Sequence, residues 1–168
     1  SNRALQQAKT LLQARKAGHT GSLDPMATGL LLICLGQATK LCESLLAADK
    51  SYRVKLRLGQ ETDTGDCEGQ VIAEHPVEVS QEQVLAALEK FRAQKEQIPP
   101  MFSALKHKGQ PLYRLARQGV EIERKPRPVT LHTLALEAFD PPYITLSLRC
   151  SSGYYVRTLA TDLDRKRV

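Results

Sequence analysis

Tyr52-Arg-Val-Lys-Leu-Arg-Leu58 alternates apolar and basic side chains over seven positions. Successive strand residues point to opposite faces, so this stretch predicts a strand with one buried face, and Arg53, Lys55 and Arg57 line the other. Downstream, Gly59 to Gly69 reads as a polar loop and Gln70 to Glu74 as a short strand. Ser80-Gln-Glu-Gln83 is a capping box opening a helix to about Lys95, with Val84, Leu85, Leu88 and Phe91 as its apolar face. Pro99-Pro100 break regular structure, and Gly109 to Gly119 holds a short helix. Val129 to Phe139 and Tyr143 to Arg149 read as strands joined by Asp140-Pro-Pro142, and Gly153 to Asp162 turns from strand into helix. Upstream, residues 2–15 have helical periodicity, and Gly18 to Gly29 is a shaped loop with three glycines and a proline. Leu30 to Leu35 is a buried helix or strand, and Thr39 to Ala48 is helical. Strands followed by helices without strict alternation predict an α+β fold around a mixed sheet.

The chain has 168 residues, 42% hydrophobic and 25% charged, a length suited to one domain. Such a chain buries roughly 68–70% of its unfolded surface, enough for a core without disulfides or metal. The composition is not that of a disordered segment, and no apolar run approaches the ~18 residues of a membrane span. The first residues lack the basic-then-apolar order of a secretion signal. These features predict a soluble, cytoplasmic protein that does not engage membranes. Cys34, Cys42, Cys67 and Cys150 form no Cys-x-x-Cys pair and have no histidine at zinc-ligand spacing, so they read as reduced thiols and no metal is expected.

The net charge of +6 is uneven. Residues 51–100 carry six basic and nine acidic side chains, residues 101–168 twelve and six. Between Lys106 and Arg127, seven basic residues face only Glu121 and Glu123. Such a stretch is either a solvated face or an arm tracking phosphates, with His107 and Tyr113 able to stack on unpaired bases.

Short motifs carry little alone. Gly18-His-Thr-Gly21 fits the G-x-x-G loop of RNA-binding KH domains, but the surrounding element order is wrong. No Gly-Lys-Ser/Thr follows, which excludes a P-loop. Asp63-Thr64-Gly65 copies the aspartic-protease triplet without the apolar strand that should lead into it, and Asp63, Asp66 and Glu68 miss calcium-loop offsets. Asp24 before Pro25 reads alone as a helix N-cap, and His19 alone as a structural histidine.

Taken whole, Arg15-Lys-Ala-Gly-His-Thr-Gly-Ser-Leu-Asp-Pro-Met-Ala-Thr-Gly-Leu30 with Leu35-Gly-Gln-Ala-Thr-Lys40 closely resembles the catalytic motif of the bacterial TruB-type tRNA pseudouridine synthases. Further blocks follow in the family's order: Asp49-Lys-Ser-Tyr-Arg-Val54 running into Leu58-Gly-Gln-Glu-Thr-Asp-Thr-Gly-Asp66, Gln97-Ile-Pro-Pro-Met-Phe-Ser-Ala-Leu-Lys106, and Cys150-Ser-Ser-Gly-Tyr-Tyr-Val-Arg-Thr-Leu159.

The resemblance implies a mixed, mostly antiparallel sheet with flanking helices. It also implies isomerisation of uridine to pseudouridine in the T-arm loop of tRNA (position 55), by base flipping and without a cofactor. Asp24 matches the catalytic aspartate, Tyr52 the tyrosine lying against the base, and Arg157 the arginine pairing with the aspartate. Tyr155 resembles a second pocket aromatic, His19 a histidine touching the displaced base or its neighbours, and Asp66 a polar partner near the active site. Lys106, Lys108 and Arg117 fall on a basic, thumb-like insertion at about 101–125 that would close on the T-stem loop. Whether Asp24 adds to C6, attacks C1′ or lets C1′ lose a proton stays open. Against this family the chain is a partial catalytic domain, 1–168, lacking an upstream Lys-Pro strand, later strands and a C-terminal PUA-like domain. Asp164-Arg-Lys-Arg-Val168 departs from the usual Gly-containing continuation. A monomer is expected. The alternative is a non-catalytic tRNA-binding fragment or folding helper.

Overall fold

The computed structural model describes residues 1–165, and the chain divides into two compact units, residues 1–48 and residues 49 onward. The departure noted at the C-terminus lies, from Lys166 on, outside the described residues.

In the first unit, α1 spans Asn2–Leu11 and buries Leu5. It stops four residues short of the predicted Arg15 because Gln13 takes φ 50. Ala14 N–H then bonds to Lys9 O at 2.9 Å and Gln13 N–H to Thr10 O at 3.1 Å, the paired bonds of a Schellman cap. β1 (Ala17–His19) pairs antiparallel with β2 (Ile33–Leu35), Gly18 opposite Cys34. The predicted shaped loop therefore begins inside a strand. The apolar run from Leu30 is not uniformly buried either: Leu30 is 84% exposed, and only Cys34 in β2 is buried. A 3-10 helix, Gly36–Leu41, leads into α2, Cys42–Ala47. Burial and a hydrogen bond with Cys42 push the Cys34 thiol up. All four cysteines are free thiols.

The second unit begins with β3 (Lys50–Arg57), followed by the hairpin of β4 (Gln60–Thr62) and β5 (Val71–Glu74), then α3 (Gln81–Arg92). After these come β6 (Glu96–Gln97), β7 (Lys106–His107), β8 (Gln110–Pro111), α4 (Leu112–Arg117) and β9 (Arg127–Pro128). β10 (Leu131–Asp140), β11 (Tyr143–Cys150) and α5 (Val156–Arg165) close the unit. A three-stranded sheet runs β10-β11-β3, and every strand pairing among the described residues is antiparallel. With its helices outside the sheet, the architecture is α+β.

The predicted alternation holds in β3: Leu56 opposes Ile144 and faces the core, while Arg53, Lys55 and Arg57 face solvent. On the outer face Arg53 pairs with Glu137, holding that carboxyl below its usual range, and Lys55 lies 4.4 Å from the Tyr143 ring centre. The capping box of α3 is present: Ser80 Oγ accepts Gln83 N–H and Gln83 Oε1 accepts Ser80 N–H. Its buried face is Val84, Ala87, Leu88 and Phe91; Leu85, predicted to be buried, is 41% exposed and Ala87 takes its place. α3 lies against β10, where Arg92 Nε donates to Leu134 O at 3.1 Å. Leu146 and Leu148 of β11 and Leu159 and Leu163 of α5 complete the core. The predicted polar loop from Gly59 to Gly69 contains β4, whose polar side chains hide an ordinary antiparallel pairing with β5.

Candidate active site

Two stretches of the second unit, remote in sequence, meet at Arg157. This residue lies in the first turn of α5, with a side chain 15% exposed. Its Nη1 donates to Thr64 O at 3.2 Å and its Nη2 to Phe102 O at 2.8 Å. The Asp66 Oδ2 stands 3.8 Å from Nη1, and the Asp66 side chain is 9% exposed. Asp66 is itself fixed: its Oδ1 accepts Thr64 Oγ1–H at 2.6 Å and Glu68 N–H at 3.1 Å, and its carbonyl accepts Thr62 Oγ1–H at 2.7 Å. Gly65 permits this approach. Its φ of 70 is one that side-chain-bearing residues avoid, and a Cβ there would stand 3.3 Å from Thr161 Oγ1. A guanidinium keeps its charge at any biological pH, so the result is a permanent, directed cation with its orientation set in advance.

Tyr155 lies two residues upstream. Its backbone N–H donates to Gln97 Oε1 at 2.9 Å, and its carbonyl accepts Gln97 Nε2–H at 3.3 Å. Gln97 is 2% exposed. Tyr52 sits on β3 opposite Leu148, on the same strand face as Leu56, but is 39% exposed where Leu56 is buried. The buried face of β3 thus opens at its N-terminal end and leaves an aromatic ring accessible. The motif reading assigned no role to Gln97, Thr64 or Phe102. Two of these act through backbone carbonyls, which no side-chain pattern reports.

Asp24 and His19 belong to the first unit. No helix follows Asp24, so its N-cap reading gives way to a β-turn, with Ala27 N–H bonded to Asp24 O at 2.9 Å and Pro25 at the second position. The residue is exposed, and the preceding Leu23 N–H donates to Ser1 Oγ at 2.8 Å. His19 ends β1, and its buried Nδ1 makes no hydrogen bond among the described residues.

The basic arm is a small folded element. β7 and β8 form a hairpin turned by Lys108 (φ 48) and Gly109 (φ 85), the positive-φ pair of a type I′ turn. α4 follows, tied back by Leu112 N–H to Leu105 O at 2.7 Å and Tyr113 N–H to Ser103 O at 3.0 Å. Lys106, Lys108 and Arg117 are exposed. The Arg117 guanidinium lies 5.6 Å from the Tyr113 ring centre, so a cation already covers a ring considered for base stacking. The arm leaves from β6 and returns through β9, which pair antiparallel, Gln97 opposite Arg127. The Asp63-Thr64-Gly65 triplet is a loop turn in which Asp63 Oδ1 accepts Gln70 N–H at 2.8 Å. Among the described residues no helix is long and apolar enough to cross a membrane, and no cluster of three His, Cys, Asp or Glu side chains could hold a metal ion.

Residues 9–156 match the TruB family pseudouridylate synthase N-terminal domain. A Tolumonas auensis protein named tRNA pseudouridine synthase B is 56% identical over 97% of this chain and 50% of its own length. Proteins of the same name from Legionella pneumophila (strain Lens) and Methylobacillus flagellatus are 57% and 56% identical, over 97% and 99% of this chain and 54% and 55% of their own lengths. The chain spans about half the length of the curated relatives it matches. Among solved structures, the crystal structure of a Cbf5-Nop10-Gar1 complex aligns with 98% of this chain and 40% of its own at a TM-score of 0.72 and 21% identity. A structure of an H/ACA RNP bound to a substrate RNA containing 2′-deoxyuridine aligns with 98% of this chain and 38% of its own at a TM-score of 0.65 and 19% identity. At those identities the likeness is one of fold. With the matched domain covering most of its residues, and relatives more than half identical along nearly all of it, the chain belongs to the TruB family of pseudouridylate synthases.

Proposed function

We propose that this chain carries the uridine-isomerising chemistry of a tRNA pseudouridine synthase, acting on a uridine of the T-arm loop. The carrying observation is the Arg157 guanidinium, held by two carbonyls and the Asp66 carboxylate in a chain that also bears the family's Asp24 motif. In the reaction the N1–C1′ bond of uridine breaks, the uracil turns, and C5 bonds to C1′; the C5 proton leaves and N1 gains one. Atoms and electrons balance within one nucleotide, so the isomerisation asks for no external group.

Asp24 supplies the carboxylate. In each route open to it, addition to C6, attack at C1′ or removal of a C1′ proton, the group works in its ionised form. Arg157 supplies the fixed positive charge that favours an ionised carboxylate as bound substrate excludes water. Tyr52 offers an accessible ring for the uracil, and its phenol or an attached water helps the C5 proton leave. Because the base must rotate, it is flipped from the RNA stack, with Tyr155 lining the pocket and His19 supporting the extruded nucleotides. Lys106, Lys108 and Arg117 contact phosphates of the T-stem. The protein acts as a monomer in the cytoplasm.

The exposed basic arm alone favours a second reading, tRNA binding without modification. One assay separates the two. With tRNA tritiated at C5 of its uridines, the intact protein carrying this chain releases tritium, and Asp24→Asn stops the release while tRNA binding stays within about twofold. Turnover retained by Asp24→Asn would overturn the assignment, and binding without release by the unsubstituted protein would leave the second reading.

A further inference from the structure

We propose that Gln97 is a positioning residue for the Arg157 centre, its buried carboxamide fixing the backbone at Tyr155 to the base of the basic arm. The inference rests on the isomerase reading above. Gln97 is 2% exposed, and both halves of its carboxamide are engaged by one residue: Oε1 accepts Tyr155 N–H at 2.9 Å and Nε2 donates to Tyr155 O at 3.3 Å. The side chain thus pairs with Tyr155 as one more strand would. A carboxamide presents donor and acceptor side by side; an ionised carboxylate offers acceptors only, and alanine removes the acceptor of Tyr155 N–H while Tyr155 O keeps the N–H of Leu159 at 3.2 Å.

The placement gives this pairing its consequence. Through its backbone Gln97 belongs to β6, opposite Arg127 of β9, where the arm leaves and returns. From there the chain stays stitched to the start of α5: Ile98 O accepts Thr158 Oγ1–H at 3.4 Å, and Phe102 O accepts Arg157 Nη2–H at 2.8 Å. Phe102 lies one residue before Ser103, whose carbonyl holds Tyr113 of α4. Gln97 fixes the fully buried end of this seam, so the residue orienting Arg157 and the arm carrying the phosphate-binding lysines share one rigid attachment. RNA seated on the arm is thereby registered against the catalytic arginine.

The test is single-turnover isomerisation and tRNA binding, measured side by side in the intact protein. Gln97→Ala lowers the rate constant about 10- to 100-fold, the range expected when a reacting group is displaced by a fraction of an ångström to one ångström, with the dissociation constant within about twofold. In an Arg157→Lys background the same substitution costs less than about threefold further, because it acts through a residue already impaired. Gln97→Glu loses rate at about pH 8 and regains part of it toward about pH 6, where the protonated carboxyl again donates to Tyr155 O; the unsubstituted protein shows no such gain. Gln94→Ala, which removes only an exposed bond to Glu96 O, leaves rate and binding unchanged.

If Gln97→Ala does not fold, the pH-dependent recovery of Gln97→Glu decides. An unchanged rate in Gln97→Ala, an equal loss in the Arg157→Lys background, rate and affinity falling together, or no recovery in Gln97→Glu overturns the inference while an active unsubstituted protein keeps the isomerase reading. An inactive unsubstituted protein overturns that reading and this inference with it.

Discussion

The Asp24 loop of the first unit and the Asp66 loop of the second are both turns with glycine, threonine and aspartate, and the chain treats them oppositely. Asp24 is exposed in a β-turn closed by the Ala27 N–H to Asp24 O bond. Asp66 has a side chain 9% exposed, accepts from Thr64, Glu68 and Thr62, and stands beside a half-buried guanidinium. On the proposed function, the difference separates two tasks. A group that must meet an arriving base is kept accessible, and one that orients another side chain is enclosed where its hydrogen bonds are shielded from water. Stability and reactivity should therefore separate on substitution.

The largest expected effect is the sharpest test of that separation. Asp24→Asn removes turnover altogether yet shifts unfolding free energy by no more than about 0.5 kcal/mol, as for other exposed positions; chemical denaturation of the two proteins measures it. Asp66→Asn moves both quantities. It leaves Arg157 less well paired in a half-buried place, lowering stability by about 2 kcal/mol and the isomerisation rate by about 10²-fold. If Asp66→Asn lost rate without losing stability, the two carboxylates would be alike and the contrast would fail.

The same contrast extends to apolar residues. Phe91 is 1% exposed in the core of the second unit, whereas Leu30, a residue of equal apolar character in the first, is 84% exposed. Phe91→Ala costs about 3–5 kcal/mol of unfolding free energy, from lost burial and the cavity left behind. Leu30→Ala stays within about 0.5 kcal/mol. Equal losses in urea titrations would mean that the apolar run following the Asp24 loop is structural after all.

How far the sequence discloses this division depends on the range over which each feature is encoded. The strand Tyr52–Leu58 and the Ser80–Gln83 capping box are local patterns, and both are found where their residues predict them. The end of α1 is equally local but disguised: the left-handed position is filled by Gln13, where a glycine would have signalled it. Leu30 and Leu32 are apolar yet exposed, because hydrophobicity reports a preference for burial and not what the neighbourhood provides. Least legible is the setting of Arg157. The motif names the arginine, but its acceptors are carbonyls of Thr64 and Phe102, 93 and 55 residues away, and backbone oxygens are the same whatever side chain accompanies them. Gln97 is hidden for the same reason, since its partner is the peptide of Tyr155.

The smallest effect concerns the arm, where accessibility recurs without reactivity. Lys106 and Lys108 are exposed on a hairpin whose type I′ turn fixes their positions. Replacing both with alanine removes no buried contact, so the fold is unchanged. If each lysine neutralises a phosphate, the double variant binds tRNA more weakly, and the slope of log affinity against log salt falls by about one unit per lost contact. At high salt, where released counterions no longer favour binding, the variant and the unsubstituted protein converge. The single-turnover rate at saturating protein stays unchanged, because these lysines hold the substrate and do not touch the reacting base. An unaltered salt slope would make them solvated surface charges and leave tRNA recognition to the rest of the protein.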